Sequence, residues 1–335
     1  MRILVTGGAG SIGVYVVRAL LNRGDDVTIV DTFNDFYDPA FKRARLAAVL
    51  AGGRSPAVLG VNVADAPALQ QSFAQARPEA IIHLAAWPGV RPSIAHPLLY
   101  TRENVEGTVG VLHAAVQHGV RQVVFASSSS VYPKATPLPF REDAPCDTTL
   151  SPYSASKRAG ELYARLYHDL HGLSVVCVRF FTVYGPWIRP DMAMWKFTER
   201  IIRGEPVPLR RTGPGGAEVK RDFTYVEDIV RGVLSALDRS GGFDIINLGN
   251  NTPVPLSRFV RLIEEALGKS AIIHEEELGA GEEIATAADL THAREALGYA
   301  PTIAIDEGVR RFVAWYQKEF LPKFPNGLAP SPYWA

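Results

Sequence analysis

Two short groups of residues in this chain could do chemistry together. Gly7, Gly10 and Gly13 follow directly on an apolar stretch, and Tyr153 stands four positions before Lys157. A glycine loop between a strand and a helix can bind a pyrophosphate through backbone N–H groups, because glycine allows close approach and positive φ. A tyrosine beside a lysine can move a proton. Together the two groups suggest the reversible oxidation of an alcohol, which neither group would indicate alone.

The glycine loop has GxxGxxG spacing and runs into a helical pattern at residues 14–23, which is the context that a dinucleotide site requires. Asp31 ends the second predicted strand, where a carboxylate accepts hydrogen bonds from both ribose hydroxyls of an adenosine and repels a 2′-phosphate. NAD is therefore expected rather than NADP. Asn62 and Val63 end the third predicted strand and could contact the adenine, although a plain strand end explains them almost as well.

The spacing of Tyr153 and Lys157 places both side chains on one face of a helix. A free tyrosine titrates near ~10, so a phenolate that acts as a base at neutral pH needs nearby positive charge. Lys157 and an oxidised nicotinamide ring would both supply that charge. The alternative is a surface tyrosine and lysine at helical spacing by coincidence, which the accompanying glycine loop disfavours.

Composition restricts the class of protein. The 335 residues, 47% of them hydrophobic, can fill one large or two modest domains. Lysine plus arginine and aspartate plus glutamate both total 35, which favours a small-molecule partner over nucleic acid or an anionic membrane. Cys146 and Cys177 are too few for a disulfide scaffold and lack the CxxC spacing of a metal site. No signal peptide or membrane-length apolar run is visible, so we expect a cytoplasmic protein without a metal.

Short apolar, β-branched runs alternate with helical segments in the first half of the chain. These runs are residues 3–5, 27–30, 57–61, 80–84, 122–125 and 174–179. The alternation predicts an α/β fold with a Rossmann-type, doubly wound parallel sheet. Beyond residue 185 prolines and glycines predict loops over a site rather than more sheet. We expect a cofactor domain at residues 1–185, rejoined by residues 225–250, and a smaller interleaved C-terminal substrate domain mainly at residues 186–335.

Two predicted helices, at residues 104–118 and 153–171, carry apolar side chains at helical spacing. The apolar positions are Val105, Val109, Leu112 and Val116 in the first helix, and Leu162, Leu166 and Leu170 in the second. Packing against the sheet is the simpler interpretation of each residue. The alternative is that the two helices pair with their copies in a dimer.

Seven motifs resemble the extended short-chain dehydrogenase/reductase family, and within it the nucleotide-sugar epimerases. In chain order they are TGGAGSIG at residues 6–13, HLAA at 83–86, NVEGT at 104–108, SSSSVY at 127–132, YSASK at 153–157, RFFTVYGP at 179–186 and RDFTYVEDI at 221–229. The resemblance spans nearly the whole chain. It implies a homodimer that binds NAD and a nucleotide sugar.

By position, the resemblance implies that Tyr153 is the catalytic base, that Lys157 holds the nicotinamide ribose and lowers the pKa of Tyr153, and that Ser128 hydrogen-bonds the reacting sugar oxygen. Ser127 and Ser129 are the neighbours most easily confused with Ser128. The cofactor residues expected from the loop, the strand ends and the resemblance are Gly7, Gly10, Ser11, Ile12, Gly13, Asp31, Asn62, Val63, Leu84, Ala85, Ala86, Asn104, Tyr153 and Lys157.

The reaction and the sugar follow from finer features of the resemblance. Dehydrating relatives carry an Asp-Glu pair, and decarboxylating relatives a glutamate, where this chain has Ser129 and Ser130, so simple 4-epimerisation is expected. Residues 31–37, 41–45, 89–93 and 185–192 resemble the UDP-glucuronate 4-epimerase branch. The expected substrate residues are Arg91, Ser128, Ser129, Ser130, Tyr153, Thr182, Arg189 and Arg221. The alternatives are a UDP-glucose/UDP-galactose 4-epimerase, a decarboxylase-like enzyme, and an NAD-binding sensor without catalysis.

Two arginines have specific expected roles, each with an alternative. Arg189 would hold the carboxylate of a uronate, or it is an ordinary surface arginine in a proline-rich loop. Arg221 would bind the nucleotide pyrophosphate through its guanidinium fork, or it forms a structural salt bridge to Asp222 or Asp228.

Overall fold

The computed structural model describes residues 1–134, 136–213, 215–239, 241–279 and 281–333. Its strands, in chain order, are β1 (Arg2–Thr6), β2 (Asp26–Val30), β3 (Ala57–Leu59), β4 (Ala80–His83), β5 (Gln122–Ser128), β6 (Ser174–Phe180), β7 (Thr182–Tyr184), β8 (Pro206–Arg211), β9 (Lys220–Tyr225), β10 (Phe243–Leu248), β11 (Pro253–Pro255) and β12 (Ile272–Glu277). Seven of them form one parallel sheet in the order β10-β6-β5-β4-β1-β2-β3. The predicted α/β, Rossmann-type fold is confirmed, and β10 joins the sheet as expected.

The helices alternate with these strands. They are α1 (Gly13–Arg23), α2 (Pro39–Val49), α3 (Ala66–Ala76), α4 (Val90–Ala95), α5 (Pro97–Tyr100), α6 (Gly107–Gln117), α7 (Pro152–His171), α8 (Ala193–Arg203), α9 (Val226–Asp238), α10 (Leu256–Leu267), α11 (Thr291–Leu297), α12 (Ile305–Trp315) and α13 (Leu321–Lys323). Helices α1 and α9 pack on one face of the sheet, and α3, α6 and α7 on the other. The described residues include no helix that is both long enough and apolar enough to cross a membrane.

Helix α7 packs through a different face from the one that its leucines predict. Leu162, Leu166 and Leu170 are 55%, 44% and 66% exposed, so core packing is wrong for these three side chains. The buried face carries small and polar residues instead, among them Gly160, where a Cβ would meet the Phe125 ring at 2.4 Å. This close approach to β5 turns the opposite, leucine-bearing face outward.

The helix predicted at residues 104–118 is also placed differently. A π-helical turn, Thr101–Glu106, precedes α6, and the π geometry rotates the side chains that follow it. Leu112 is buried as expected, whereas Val105, Val109 and Val116 are only half-buried.

The segment after residue 185 is more regular than its prolines suggest. Instead of loops alone it forms α8, β8 and β9, so that expectation is wrong. Helix α8 buries Trp195 and Phe197. Strand β8 pairs with β12 in a two-stranded sheet, and its last residue, Arg211, also bridges Glu218. Pro206 and Pro208 lie in the first half of β8, at the edge of this small sheet, where a missing N–H is tolerated. Strand β9 lies between β7 and β11 in a third, three-stranded sheet.

Candidate active site

The glycine loop connects β1 to α1 in a conformation that side chains would block. Gly7 has φ +69°, and its N–H donates to the carbonyl of Val30 at 2.8 Å. A Cβ on Gly13 would lie 2.2 Å from the carbonyl oxygen of Gly7, which no real contact allows. The loop therefore brings bare backbone up to the N-terminus of α1, where an anionic pyrophosphate is favoured.

A cleft opens over this loop and gathers most of the expected cofactor residues. Those that line it are Gly7, Gly10, Ser11, Ile12, Gly13, Asp31, Asn62, Val63, Leu84, Ala85, Ala86, Tyr153 and Lys157. They come from the ends of β1, β2, β3 and β4 and from the start of α7. The carboxyl ends of parallel strands meet at one edge of such a sheet, which explains why residues so distant in sequence converge.

Asp31 directly follows β2, and backbone N–H groups hold its carboxylate in place. Its oxygens accept from the N–H of Ala9 at 3.0 Å and of Phe33 at 2.8 Å. Each oxygen keeps a lone pair, so the fixed carboxylate can also accept from a ribose hydroxyl. The Asn62 amide is shared with protein groups, since it donates to Glu103 at 2.9 Å and accepts from the N–H of Ala64 at 2.8 Å.

We expected Asn104 to contact the cofactor directly. Asn104 does not line the cleft, so the structure corrects this expectation. It is buried beneath the wall, where its amide accepts from the N–H of Trp87 at 2.7 Å and donates to the Trp87 carbonyl and to Ser156 Oγ, each at 3.0 Å. All its side-chain donors are thus used inside the protein. Asn104 instead fixes the loop after β4 against α7.

His83 lies behind the same loop in a neutral state. Its Nδ1 lies 2.6 Å from Thr6 Oγ1, and its Nε2 lies 3.1 Å from Thr108 Oγ1. The Thr108 hydroxyl donates to the Asn104 carbonyl at 2.6 Å, so it accepts from His83 Nε2–H. Burial lowers the pKa of His83 to about 3.

This depressed pKa predicts acid-sensitive stability. The ordinary pKa of histidine is about 6.5, so below that pH His83 is protonated in the unfolded chain but stays neutral in the folded protein. The free energy of unfolding therefore falls as the pH drops. Between pH 7 and pH 5 we expect His83 to account for about 2 kcal/mol of lost unfolding free energy. Denaturant unfolding at both pH values should show a smaller loss in His83→Asn than in the wild type, whereas the exposed-site control His118→Asn should keep the wild-type loss. Equal losses in all three proteins would contradict the assignment.

Tyr153 and Lys157 lie side by side at the start of α7, both on the cleft. Burial raises the pKa of the Tyr153 phenol, while a hydrogen bond with Ser128 and the charge of Arg189 act in the opposite direction. The Lys157 ammonium donates to the Ala126 carbonyl at 2.8 Å, and burial lowers its pKa to about 7. Burial therefore sets the direction of the Tyr153 pKa in the protein alone, and its lowering by Lys157 stays a prediction.

The four serines at the end of β5 and directly after it have different contacts. Ser127 lines the cleft, and its Oγ donates to Glu161 at 2.6 Å. Ser128 contacts the phenol of Tyr153 and accepts from the N–H of Ser130 at 3.2 Å. Within the described part of the chain, the buried Ser130 Oγ has no hydrogen-bond partner. Of the serines that sequence alone confuses, Ser128 is the one placed to contact a reacting oxygen beside Tyr153.

Arg189 reaches the same cleft from the loop after β7. Its guanidinium lies 3.1 Å from Asp191 and 5.8 Å from the centre of the Phe36 ring, and it lines the cleft with Tyr153. It is thus not an ordinary surface arginine. Thr182 is half-buried at the start of β7.

Neither Arg91, on α4, nor Arg221, on β9, lines the cleft. Arg91 is half exposed and pairs with Glu282 at 3.0 Å, as does Arg210. Arg221 donates to the carbonyls of Lys220 and Ile284 at 2.9 and 3.4 Å.

The alternative role of Arg221, a structural salt bridge to Asp222 or Asp228, is not found. Asp222 is held by the backbone N–H groups of Asn250, Asn251 and Ala288, and Asp228 pairs with Arg231. Neither carboxylate forms a salt bridge with Arg221. The expected pyrophosphate role of Arg221 stays a prediction.

Sequence analysis missed part of the cleft wall. The side chains that it did not single out there include Asn34, Phe36, Tyr37, Lys42, Trp87 and Glu103. Lys42 donates to the carbonyl and the side-chain oxygen of Asn34 at 2.7 and 2.6 Å, and burial lowers its pKa to about 8. Only the similarity of residues 31–45 to one branch of the family pointed to this stretch, and spacing alone could not show that it lines the cleft.

Fold and site together define a dinucleotide-binding α/β protein with a tyrosine–lysine pair on its cleft. The chain belongs to the NAD dependent epimerase/dehydratase family, whose model matches residues 3–249. Membership confirms the predicted family and the expected cofactor, NAD. Bound NAD would be held by the glycine loop, Asp31 and Lys157.

Two relatives and one solved structure match this chain over more than nine-tenths of its length. The chain is 40% identical to UDP-glucuronate 4-epimerase 4 of Arabidopsis thaliana, over 94% of this chain and 75% of that protein. It is 38% identical to UDP-glucuronate 4-epimerase of Thermodesulfobacterium geofontis, over 93% and 95% of the two chains. The structure of UDP-glucuronic acid 4-epimerase from Bacillus cereus, in complex with UDP-glucuronic acid and NAD, is similar with a TM-score of 0.86 and 29% identity, over 95% and 99% of the two chains.

Proposed function

We propose that this protein is an NAD-dependent 4-epimerase that interconverts UDP-glucuronate and UDP-galacturonate. The observation that carries the proposal is the convergence of Tyr153, Lys157 and Arg189 on the cleft over the glycine loop, with Ser128 hydrogen-bonded to the Tyr153 phenol. The similarity to UDP-glucuronate 4-epimerases over more than nine-tenths of the chain supports the sugar. We further propose that residues 1–185 with 225–250 bind the cofactor and that residues 186–335 mainly bind the nucleotide sugar.

The chain's own residues perform the proton half of the reaction. Tyr153 takes the proton of the C4 hydroxyl as a phenolate, while the Ser128 hydroxyl hydrogen-bonds the same oxygen and stabilises the charge that develops there. Bound NAD would supply the acceptor for the C4 hydrogen, as hydride, and the donor for its return. The resulting 4-keto sugar rotates in the cleft, and Tyr153 gives its proton back to the oxygen when the hydride returns to the other face. No atom is gained or lost.

The serines argue for epimerisation over elimination. Dehydration needs an additional acid and base, and Ser129 and Ser130 provide neither carboxylate at this position. Ser130 Oγ has no partner among the described residues and is free to donate to a sugar substituent. We propose that Ser129 and Ser130 join Thr182 and Arg189 in holding the uronate carboxylate, while Arg91 and Arg221 contact the nucleotide portion.

Holding that carboxylate also protects the substrate. A 4-keto uronate is a β-keto acid, which loses carbon dioxide when the breaking bond aligns with the carbonyl π system. A carboxylate paired with Arg189 keeps that bond out of alignment, so one set of contacts gives both recognition and protection.

We therefore expect Arg189→Gln and Thr182→Val to raise the ratio of decarboxylated to epimerised product by about tenfold, since a charged hydrogen bond is worth about 1.5–3 kcal/mol. Product ratios from UDP-glucuronate, resolved by chromatography and mass spectrometry, give the measurement. Arg203→Gln is the matched control, because Arg203 pairs only with surface carboxylates on and after α8. An unchanged ratio in both test variants would count against this role.

The product assay that tests the proposal uses two substrates. Purified protein is incubated separately with UDP-glucuronate and UDP-glucose, and the products are resolved. UDP-galacturonate as the main product supports the proposal. Turnover of UDP-glucose alone would favour the neutral-sugar epimerase, UDP-xylose would favour a decarboxylase-like enzyme, and bound NAD without any product would favour a sensor.

We also propose a cytoplasmic homodimer. Besides the exposed leucines of α7, Ile94 and Leu98 are 49% and 83% exposed, and they belong to α4 and α5, which pack against α7. Such an apolar face suits a second copy of the chain. Buried, unpaired Cys146 and Cys177 are compatible with a reducing compartment.

Leu166→Glu is expected to convert the dimer into a monomer, because it places a charge at the centre of this face. Light scattering coupled to size-exclusion chromatography measures the mass directly. Ile272→Glu is the matched control, since Ile272 is a similarly exposed aliphatic residue on β12. If the wild type has the mass of one chain, the dimer proposal is wrong.

A further inference from the structure

The last described segment of the chain returns to the cofactor end of the molecule. We call residues 328–333 the C-terminal strap. It crosses the loop that follows β2: the N–H of Ala329 lies 3.4 Å from Asp38 Oδ2, and Ser331 Oγ donates to the carbonyl of Phe36 at 2.6 Å. The hydroxyl of Tyr333 lies 3.5 Å from Asp35 Oδ1. Three separate contacts therefore tie the strap to this one loop.

The ring of Tyr333 is the main contact of the strap. It stacks on Phe36 with centroids 6.2 Å apart and planes at 18°, and it meets Trp87 edge to face at 4.8 Å. It also contacts His96, at the end of α4, at 5.5 Å. One side chain thus joins the loops after β2 and β4 and the end of α4.

Phe36 and Trp87 are themselves part of the cofactor cleft. Both rings line it, both are buried, and they contact each other edge to face at 5.7 Å. Tyr333 does not line the cleft, so its ring backs the wall from outside. Trp87 is further fixed by Asn104 through two backbone hydrogen bonds, and the Phe36 carbonyl accepts from Ser331 of the strap.

We propose that Tyr333 is a positioning residue, and that the strap holds the Phe36–Trp87 wall in place and thereby slows the release of NAD. The inference rests on the proposed function in one respect: a 4-epimerase must keep its cofactor between the removal and the return of the hydride. It does not depend on which sugar is bound. The strap supplies this retention from the opposite end of the chain to the glycine loop.

Two substitutions separate the ring from its hydroxyl. Tyr333→Ala removes all three ring contacts and should release NAD about tenfold faster. Tyr333→Phe keeps the ring and should stay within about twofold of the wild type. Ser331→Ala removes the hydrogen bond to the Phe36 carbonyl without touching the ring, and should release NAD several-fold faster.

The measurements are the NAD content of each purified protein and the rate at which bound NAD exchanges with added radiolabelled NAD. Thermal unfolding of each variant checks that it is folded. Faster exchange in Tyr333→Ala and Ser331→Ala but not in Tyr333→Phe supports the strap. If the wild type retains NAD, and Tyr333→Ala and Ser331→Ala exchange NAD at the wild-type rate, the strap proposal is overturned and the proposed function stands. A wild-type protein that binds no NAD overturns both.

Discussion

Replacing Tyr153 with phenylalanine is expected to lower kcat for UDP-glucuronate about 10³-fold, the scale of a lost general acid–base group. The phenol lines the cleft and is hydrogen-bonded to Ser128, and a phenyl ring has no oxygen that could exchange a proton with the C4 hydroxyl. The NAD content should stay unchanged, because the ring and Lys157 remain. Initial rates at saturating substrate, with NAD measured on the same sample, test this expectation.

Tyr100→Phe is the matched control for this variant. The Tyr100 ring lies edge to face with Tyr153 at 6.3 Å, and its hydroxyl donates to the Pro88 carbonyl at 2.5 Å. It is a buried tyrosine that neighbours the site without lining the cleft, so its kcat should fall by less than about tenfold. Equal losses in Tyr100→Phe and Tyr153→Phe would show that the effect is general disruption and not the loss of a base.

The second large effect concerns the stability of the strand that carries the serines. Glu161 on α7 and Arg179 on β6 form an ion pair at 2.8 Å with side chains 0% and 1% exposed, and Glu161 also accepts from Ser127 Oγ at 2.6 Å. Glu161→Leu leaves the buried guanidinium uncompensated. We expect it to lower the free energy of unfolding by about 3–5 kcal/mol, measured by denaturant unfolding.

The double variant Glu161→Leu/Arg179→Met distinguishes a broken pair from a lost contact. Apolar side chains of similar size often replace a buried ion pair without loss, so the double variant should recover most of the stability that the single variant loses. A double variant as unstable as the sum of both single variants would contradict this account. Recovery of stability without recovery of activity would show that the pair also positions Ser127 and the residues after it.

The sequence predicts the sheet and the loop because both depend on local pattern. Apolar β-branched runs at fixed alternation with helices leave few arrangements other than a parallel sheet. The position of Gly13 is also determined locally. A Cβ there would lie 2.2 Å from the carbonyl oxygen of Gly7, so only glycine fits. Tyr153 and Lys157 were found because helical spacing alone places them together.

What the sequence could not show depends on contacts between distant segments. The leucines of α7 have the pattern of a core face, but Gly160 lets the opposite face approach Phe125, and no local signal distinguishes these two outcomes. Asn104 has the residue type of a cofactor ligand, yet its donors are used by Trp87 and Ser156.

The strap illustrates the same limit. Phe36 and Tyr333 are almost three hundred positions apart, and no spacing rule joins them. The pKa of Tyr153 is similarly a property of the assembled site, because burial, which only the fold determines, sets its direction.

The central claim is that one hydrogen leaves C4 of the sugar and returns to the same carbon on its other face. Incubating the protein with UDP-glucuronate that carries deuterium at C4, in ordinary water, tests it directly by mass spectrometry and NMR of the product. We predict UDP-galacturonate with the deuterium still at C4. UDP-galacturonate that has lost its deuterium to solvent, or an unchanged substrate in the presence of bound NAD, would contradict the account.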